Sequence, residues 1–93
     1  MRNEKLVIKI IEKCMKLNSL GQDSFFRFSG HVKEIDVQVC KKKWKNIDMS
    51  KYKDYKEMHL ANYRLYEHVY TSNTKKLKEI IEKLEAIEKE VRG

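Results

Sequence analysis

Proline is absent from this 93-residue chain, and glycine occurs only three times, at Gly21, Gly30 and Gly93. With no Pro- or Gly-rich linker to divide it, residues 1–93 are expected to form a single domain. So few glycines also exclude a glycine-rich loop that could cradle phosphates. Two cysteines, Cys14 and Cys40, are too few for a disulfide framework, which points to free thiols and a reducing compartment, the cytoplasm. Long apolar runs are missing as well. The apolar run after the N-terminal residues is only about seven residues long, is broken by Lys9 and is followed by Glu12 and Lys13, too short for a membrane span or a signal peptide, so no membrane partner is expected.

Clustered metal ligands and nucleophiles are also lacking. His31, His59 and His68 lie far apart, and neither a C-x-x-C nor an H-x-x-x-H spacing occurs. Scattered His and Cys of this kind are more often structural than catalytic, so no cofactor, metal or small-molecule ligand is expected. Glu34 and Asp36 resemble a general acid and base pair, but residues two apart on any exposed strand do so, and Arg27 and Lys33 offer ordinary partners. The expectation is a protein that is not an enzyme.

What the chain does have is clearest between Phe25 and Val39. Phe25-Phe26-Arg27-Phe28 and Val32 to Val39 alternate apolar with polar residues around Ser29-Gly30-His31, the pattern of a β-hairpin. With Gly30 and His31 as a two-residue type II′ turn, Gly30 supplies the positive φ and Arg27 faces Glu34 as a cross-strand ion pair. One face then carries Phe26, Phe28, Ile35, Val37 and Val39. The other carries Phe25, Arg27, Glu34, Asp36 and Gln38.

Two amphipathic helices flank this hairpin. Leu6, Val7, Ile10, Ile11, Cys14, Met15 and Leu17 recur at helical spacing over 3–18, with Asn3 as N-cap and Gly21 near the C-cap. Leu77, Ile80, Ile81, Leu84, Ile87 and Val91 do the same over 74–92, with Ser72 or Asn73 as N-cap. Lys75 with Glu79, Lys78 with Glu82, and Glu85 with Lys89 stand at i,i+4 on its polar side. Residues 51–70 read either as strand or, through the spacing of Tyr52, Tyr55, His59, Tyr63, Tyr66 and Tyr70, as helix. A third strand near 55–61 is preferred, because an isolated hairpin is marginal, with 64–70 as a fourth. The fold class expected is α+β: a two-layer α-β-β-β-α domain with an antiparallel sheet and both helices on one face.

The net charge of +7 is uneven. Residues 1–20 carry five basic groups (Arg2, Lys5, Lys9, Lys13, Lys16) against Glu4 and Glu12, whereas 61–93 nearly balance. Lys41, Lys42, Lys43, Trp44, Lys45 and Tyr52 could combine phosphate contacts with stacking on single-stranded bases, worth about 1–3 kcal/mol per base. Arginine, however, is scarce among the 21 basic residues, being only Arg2, Arg27, Arg64 and Arg92. None lies in that segment, and no nucleic-acid-binding motif occurs. Lysines solvating a connection while aromatics pack on the core is the plainer reading. The polar hairpin face is then the leading interaction surface: Phe25 beside tyrosines from 52–70 would make a patch, and patches suggest an interface.

The Phe28-Ser29-Gly30-His31-Val32 turn, the Ile35-Asp36-Val37 strand, Trp44 and the Lys/Glu-rich C-terminal helix together span about a quarter of the chain. In these features it resembles small uncharacterised proteins carried by phages and mobile elements of low-GC Gram-positive bacteria. That resemblance implies a small accessory protein and brings no activity with it. The expected function is binding of another protein or of a second copy of this chain. The alternative is a nucleic-acid-binding accessory role for the basic 41–56 segment and the first helix.

Overall fold

The structure, a computed structural model, describes residues 3–41, 53 and 63–93. Its first element is helix α1, Glu4–Ser19, which buries Val7, Ile10, Cys14 and Leu17 at the three- and four-residue steps that one helix face allows. Asn3 stands at its N-cap in the left-handed region, φ 68°, a conformation asparagine tolerates. Its side chain does not cap the helix. It donates instead to Thr71 O at 2.9 Å and Thr74 Oγ1 at 3.0 Å, tying the start of α1 to a turn far along the chain.

The end of α1 is closed by Gly21, at φ +87°. Gly21 N–H donates to Asn18 O and Gln22 N–H to Leu17 O, the two bonds of a Schellman cap. Asn18 then grips the next element with both ends of its amide. Its Nδ2 donates to Ser24 O at 3.0 Å, and its Oδ1 accepts from Ser24 N–H at 2.8 Å.

Strands β1 (Ser24–Ser29), β2 (Glu34–Cys40) and β3 (Tyr63–Tyr70) form an antiparallel sheet in the order β1-β2-β3, and helix α2 (Thr74–Arg92) follows. Asn73 caps α2 by accepting from Lys76 N–H at 3.1 Å. Both helices lie on one face of the sheet. Ile35, Val37 and Val39 of the central strand, Leu65 and Val69 of β3, and Leu77, Ile80, Ile81, Leu84 and Ile87 of α2 join the buried side of α1 in one core. This is the α+β two-layer arrangement expected from the sequence. The third strand lies at Tyr63–Tyr70, while the strand expected near 55–61 falls outside the described residues.

The hairpin differs from expectation in its turn. Phe26 pairs with Val37, Arg27 with Asp36 and Phe28 with Ile35, two residues away from the expected register. The loop is therefore Gly30 to Lys33, and the left-handed residue is Lys33, φ 56°, not Gly30. A shift of two preserves which side chains face the core, so the alternation of apolar residues does not discriminate between the registers. What discriminates is tertiary: Lys33 O, at the loop's end, accepts from Thr71 N–H at 2.8 Å. The expected Arg27–Glu34 ion pair does not form, because Arg27 now stands opposite Asp36. Phe28 keeps to the core side but lies at the sheet margin, where it is exposed.

A bulge interrupts the second pairing: Val39 opposes Leu65 and Cys40 opposes Tyr63, so Arg64 is the extra residue. Arg64 reaches Glu90 of α2 at 3.2 Å. Glu67, on the helix side, meets Lys83 at 3.1 Å, and Lys13 of α1 approaches Glu85 of α2 at 3.9 Å. Among the described residues the three expected i,i+4 pairs of α2 are replaced by Lys76–Glu79 and Glu88–Arg92. Such surface pairs contribute about 0–1 kcal/mol each, so burial on the core side holds the layers together.

Two of the three left-handed positions, Gly21 and Lys33, allow opposite predictions. Nothing lies within 4 Å of a Cβ placed on Gly21, so Gly21→Ala costs backbone strain alone. It is expected to destabilise the fold by about 1 kcal/mol, while Lys33→Gly relieves the same strain and stabilises by about 0.5–1 kcal/mol. Urea unfolding monitored by circular dichroism measures both, and a loss at Lys33→Gly would contradict the four-residue loop. Leu84→Ala, at a fully buried position, is expected to cost about 2–5 kcal/mol in the same assay.

Candidate functional site

Alternation along three strands sends a second set of side chains to the face opposite the helices. From β1 come Phe25, Arg27 and Ser29, from β2 Glu34, Asp36 and Gln38, and from β3 Tyr66, His68 and Tyr70. The pairing arranges them in three cross-strand rows: Phe25-Gln38-Tyr66, Arg27-Asp36-His68 and Ser29-Glu34-Tyr70. All five residues expected to form the interaction surface, Phe25, Arg27, Glu34, Asp36 and Gln38, therefore share this face. Among the described residues, no helix covers it.

His68 is the centre of the face. Its Nδ1 meets Asp36 Oδ1, and its Nε2 meets Glu34 Oε2 at 2.7 Å. The carboxylates are half-buried while the imidazole is more exposed. The hydrogen bond and charge of Asp36, then the hydrogen bond of Glu34, hold the His68 pKa above the ordinary imidazole value of 6.5. Both ring nitrogens donate when the ring is protonated, and a neutral ring can donate only one. The cluster thus stores a cation between two anions, with Arg27 across from Asp36 as a further positive group on the face among the described residues. On deprotonation of His68, Asp36 and Glu34 leave an excess of negative charge there.

Around this polar centre stand exposed aromatics. Phe25 and Tyr66 are each 43 % exposed and flank Gln38, and Tyr70 is 59 % exposed beside Glu34. Tyr66 also packs edge-on against Tyr63, with ring centroids 5.7 Å apart. Tyr63 and Cys40 are buried opposite one another at the bulge. Burial raises the Cys40 thiol pKa, with the charge of Asp23 acting in the same direction. Burial likewise pushes the Cys14 thiol up to about 11. Both cysteines are free thiols, and such pKa values keep them protonated and unreactive near neutral pH.

Of the alternative nucleic-acid contacts, Lys41 is exposed at the end of β2, whereas Lys42, Lys43, Trp44, Lys45 and Tyr52 lie outside the described residues, as does His59. Among the described residues no group of three His, Cys, Asp or Glu side chains could hold a metal ion, and no helix is long and apolar enough to cross a membrane. Tyr66, His68 and Tyr70 are the members that the hairpin alone could not supply. Their signal was the alternation of 64–70, where every second residue is polar or tyrosine. The chain matches no protein-family model, no curated protein and no solved structure.

The raised pKa of His68 makes its contribution to stability pH-dependent, with a definite sign. A group whose folded pKa lies above its unfolded value stabilises fully below that unfolded value, here 6.5, and ceases to do so as the pH rises through the folded one. Proton NMR titration is expected to place the His68 midpoint above 6.5 in the native chain. Asp36→Asn should lower it further than Glu34→Gln, because Asp36 is the stronger partner. Equal shifts, or a native midpoint at 6.5, would contradict the bridged geometry.

Proposed function

We propose that this chain is a small non-enzymatic accessory protein of the cytoplasm, carried by a phage or other mobile element, that acts by binding another protein through the sheet face opposite its helices. The observation that carries this reading is the set of exposed aromatics, Phe25, Tyr66 and Tyr70, around a charged centre of Glu34, Asp36 and His68. Aromatic area supplies affinity, and buried polar groups at the centre of a patch supply specificity. The partner this face suits carries an arginine or lysine between apolar side chains, since the two carboxylates accept a cation in place of His68. Two free, buried thiols accord with a reducing compartment.

The second reading, a nucleic-acid-binding accessory role, draws on the lysines of α1, where Lys5, Lys9 and Lys16 are exposed, together with the basic 41–56 segment. The two readings differ in their salt dependence. On the first, fluorescence anisotropy with single- and double-stranded DNA shows only weak binding, and submicromolar affinity with a steep salt slope would overturn it. Asp36→Lys and Tyr70→Ala, both surface changes, should abolish retention of a protein partner that the unaltered chain retains. A partner bound equally by all three chains would place the interface elsewhere.

A further inference from the structure

Among the described strands, the two outer ones, β1 and β3, are protected to different degrees. β3 carries the bulge at Arg64 and the charged Arg64, Glu67 and His68, the devices by which edge strands resist pairing with another chain. β1 has no bulge, no proline and one charge, in the sequence Ser-Phe-Phe-Arg-Phe-Ser. The Asn18 amide takes both backbone groups of Ser24, so these point away from β2. Alternation then turns the N–H and C=O of Phe26 and Phe28 outward too. Among the described residues nothing pairs with them.

An apolar strip continues upward from this edge onto α1. The helix turns about 100° per residue, its Asn18 reaches β1, and its Lys13 reaches α2. Ile8, Ile11 and Met15 fall on the Asn18 side, away from α2. Ile8 is 45 % and Met15 66 % exposed, and Phe28 below them is 45 % exposed. Phe28 lies four residues past Ser24, roughly 13 Å along the strand. Counted back from Asn18, α1 covers that distance in about nine residues, which sets Ile8 level with Phe28. Lys5, Lys9 and Lys16 project to the solvent side of the helix, off the strip.

We propose that two copies of this chain pair through this margin, β1 against β1 and α1 beside α1, about one two-fold axis at Phe28. A two-fold that carries the strand edge onto its counterpart also carries the helix strip onto its counterpart, so one operation covers both apolar features. The possible registers are few. A two-fold at Phe26 needs the Ser24 groups that Asn18 holds, and one at Arg27 sets two like charges face to face. An axis at Ser29 leaves each Phe28 opposite a glycine. The axis at Phe28 sets the two rings against each other and puts each Arg27 opposite a serine. This surface is separate from the face of His68, so either interface stands without the other.

Sedimentation velocity over a range of roughly 5–500 μM tests this directly, with an expected dimer dissociation constant on the order of 10–100 μM, as small interfaces give. Phe28→Lys and Met15→Lys change exposed side chains and should weaken the dimer at least about tenfold, while Tyr70→Lys, at the other edge, leaves it unchanged. Phe28→Cys should form a self-disulfide under mild oxidation, the two residues facing each other at a Cα separation of about 5.5 Å. A native chain that stays monomeric throughout overturns the proposal. So does a dimer indifferent to Phe28→Lys and Met15→Lys, equal weakening by Tyr70→Lys, or failure of Phe28→Cys to crosslink.

Discussion

The central position of β2 is the constraint on which the rest of the structure depends. It pairs on both sides, so its residues have only two directions open to them. Ile35, Val37 and Val39 are fully buried under the helices, and Glu34, Asp36 and Gln38 are delivered to the opposite face. The same seven-residue strand thus builds the middle of the core and the middle of the candidate site. A one-residue slip would exchange the two, putting three aliphatic side chains in water and two carboxylates in the core, which is why the strand's faces are so strongly determined.

Around that strand, asparagine side chains make connections that helical and sheet periodicity do not encode. Asn3 joins the start of α1 to the turn between β3 and α2, and Asn18 joins its end to the first residue of β1. Each amide satisfies backbone groups that regular secondary structure leaves over at an element's end. Through them α1 is held to both ends of the fold, and its remaining freedom is removed by packing along Val7, Ile10, Cys14 and Leu17. The Asn18 bond has a second consequence, since it occupies one outward position of β1 and leaves Phe26 and Phe28 as the ones still turned outward.

The molecule consequently presents two unlike surfaces. One is an aromatic-rimmed polar face whose charge depends on the protonation of His68, held between Asp36 and Glu34. The other is an apolar margin of strand and helix, from Phe28 to Ile8 and Met15, that carries almost no charge on a chain of net charge +7. Like-charged molecules repel at long range, so self-association must use the part of the surface where that charge is least, whereas a face with two carboxylates favours a cationic partner. Lys5, Lys9 and Lys16 lie on the solvent side of α1, away from both surfaces, which is compatible with both uses.

Much of this was legible in the order of residues. Alternation in 25–39 set which hairpin side chains share a face, and the three- and four-residue steps of Leu77 to Val91 located the second helix, because both depend on repeats short enough to survive without knowledge of neighbours. For residues 63–70 the tyrosine spacing also fits a helix, and a strand exists there because β2 offers a partner edge, which no local pattern states. The hairpin register, the left-handed Lys33 and the loss of the Arg27–Glu34 pair were likewise decided by the Thr71 bond to Lys33 and by the full sheet. Sequence alone determined the faces, since side-chain direction alternates with the backbone. Only the tertiary structure decided which residues meet across them, because His68 reaches Asp36 and Glu34 from more than thirty positions away, and that encounter exists only once β3 has paired.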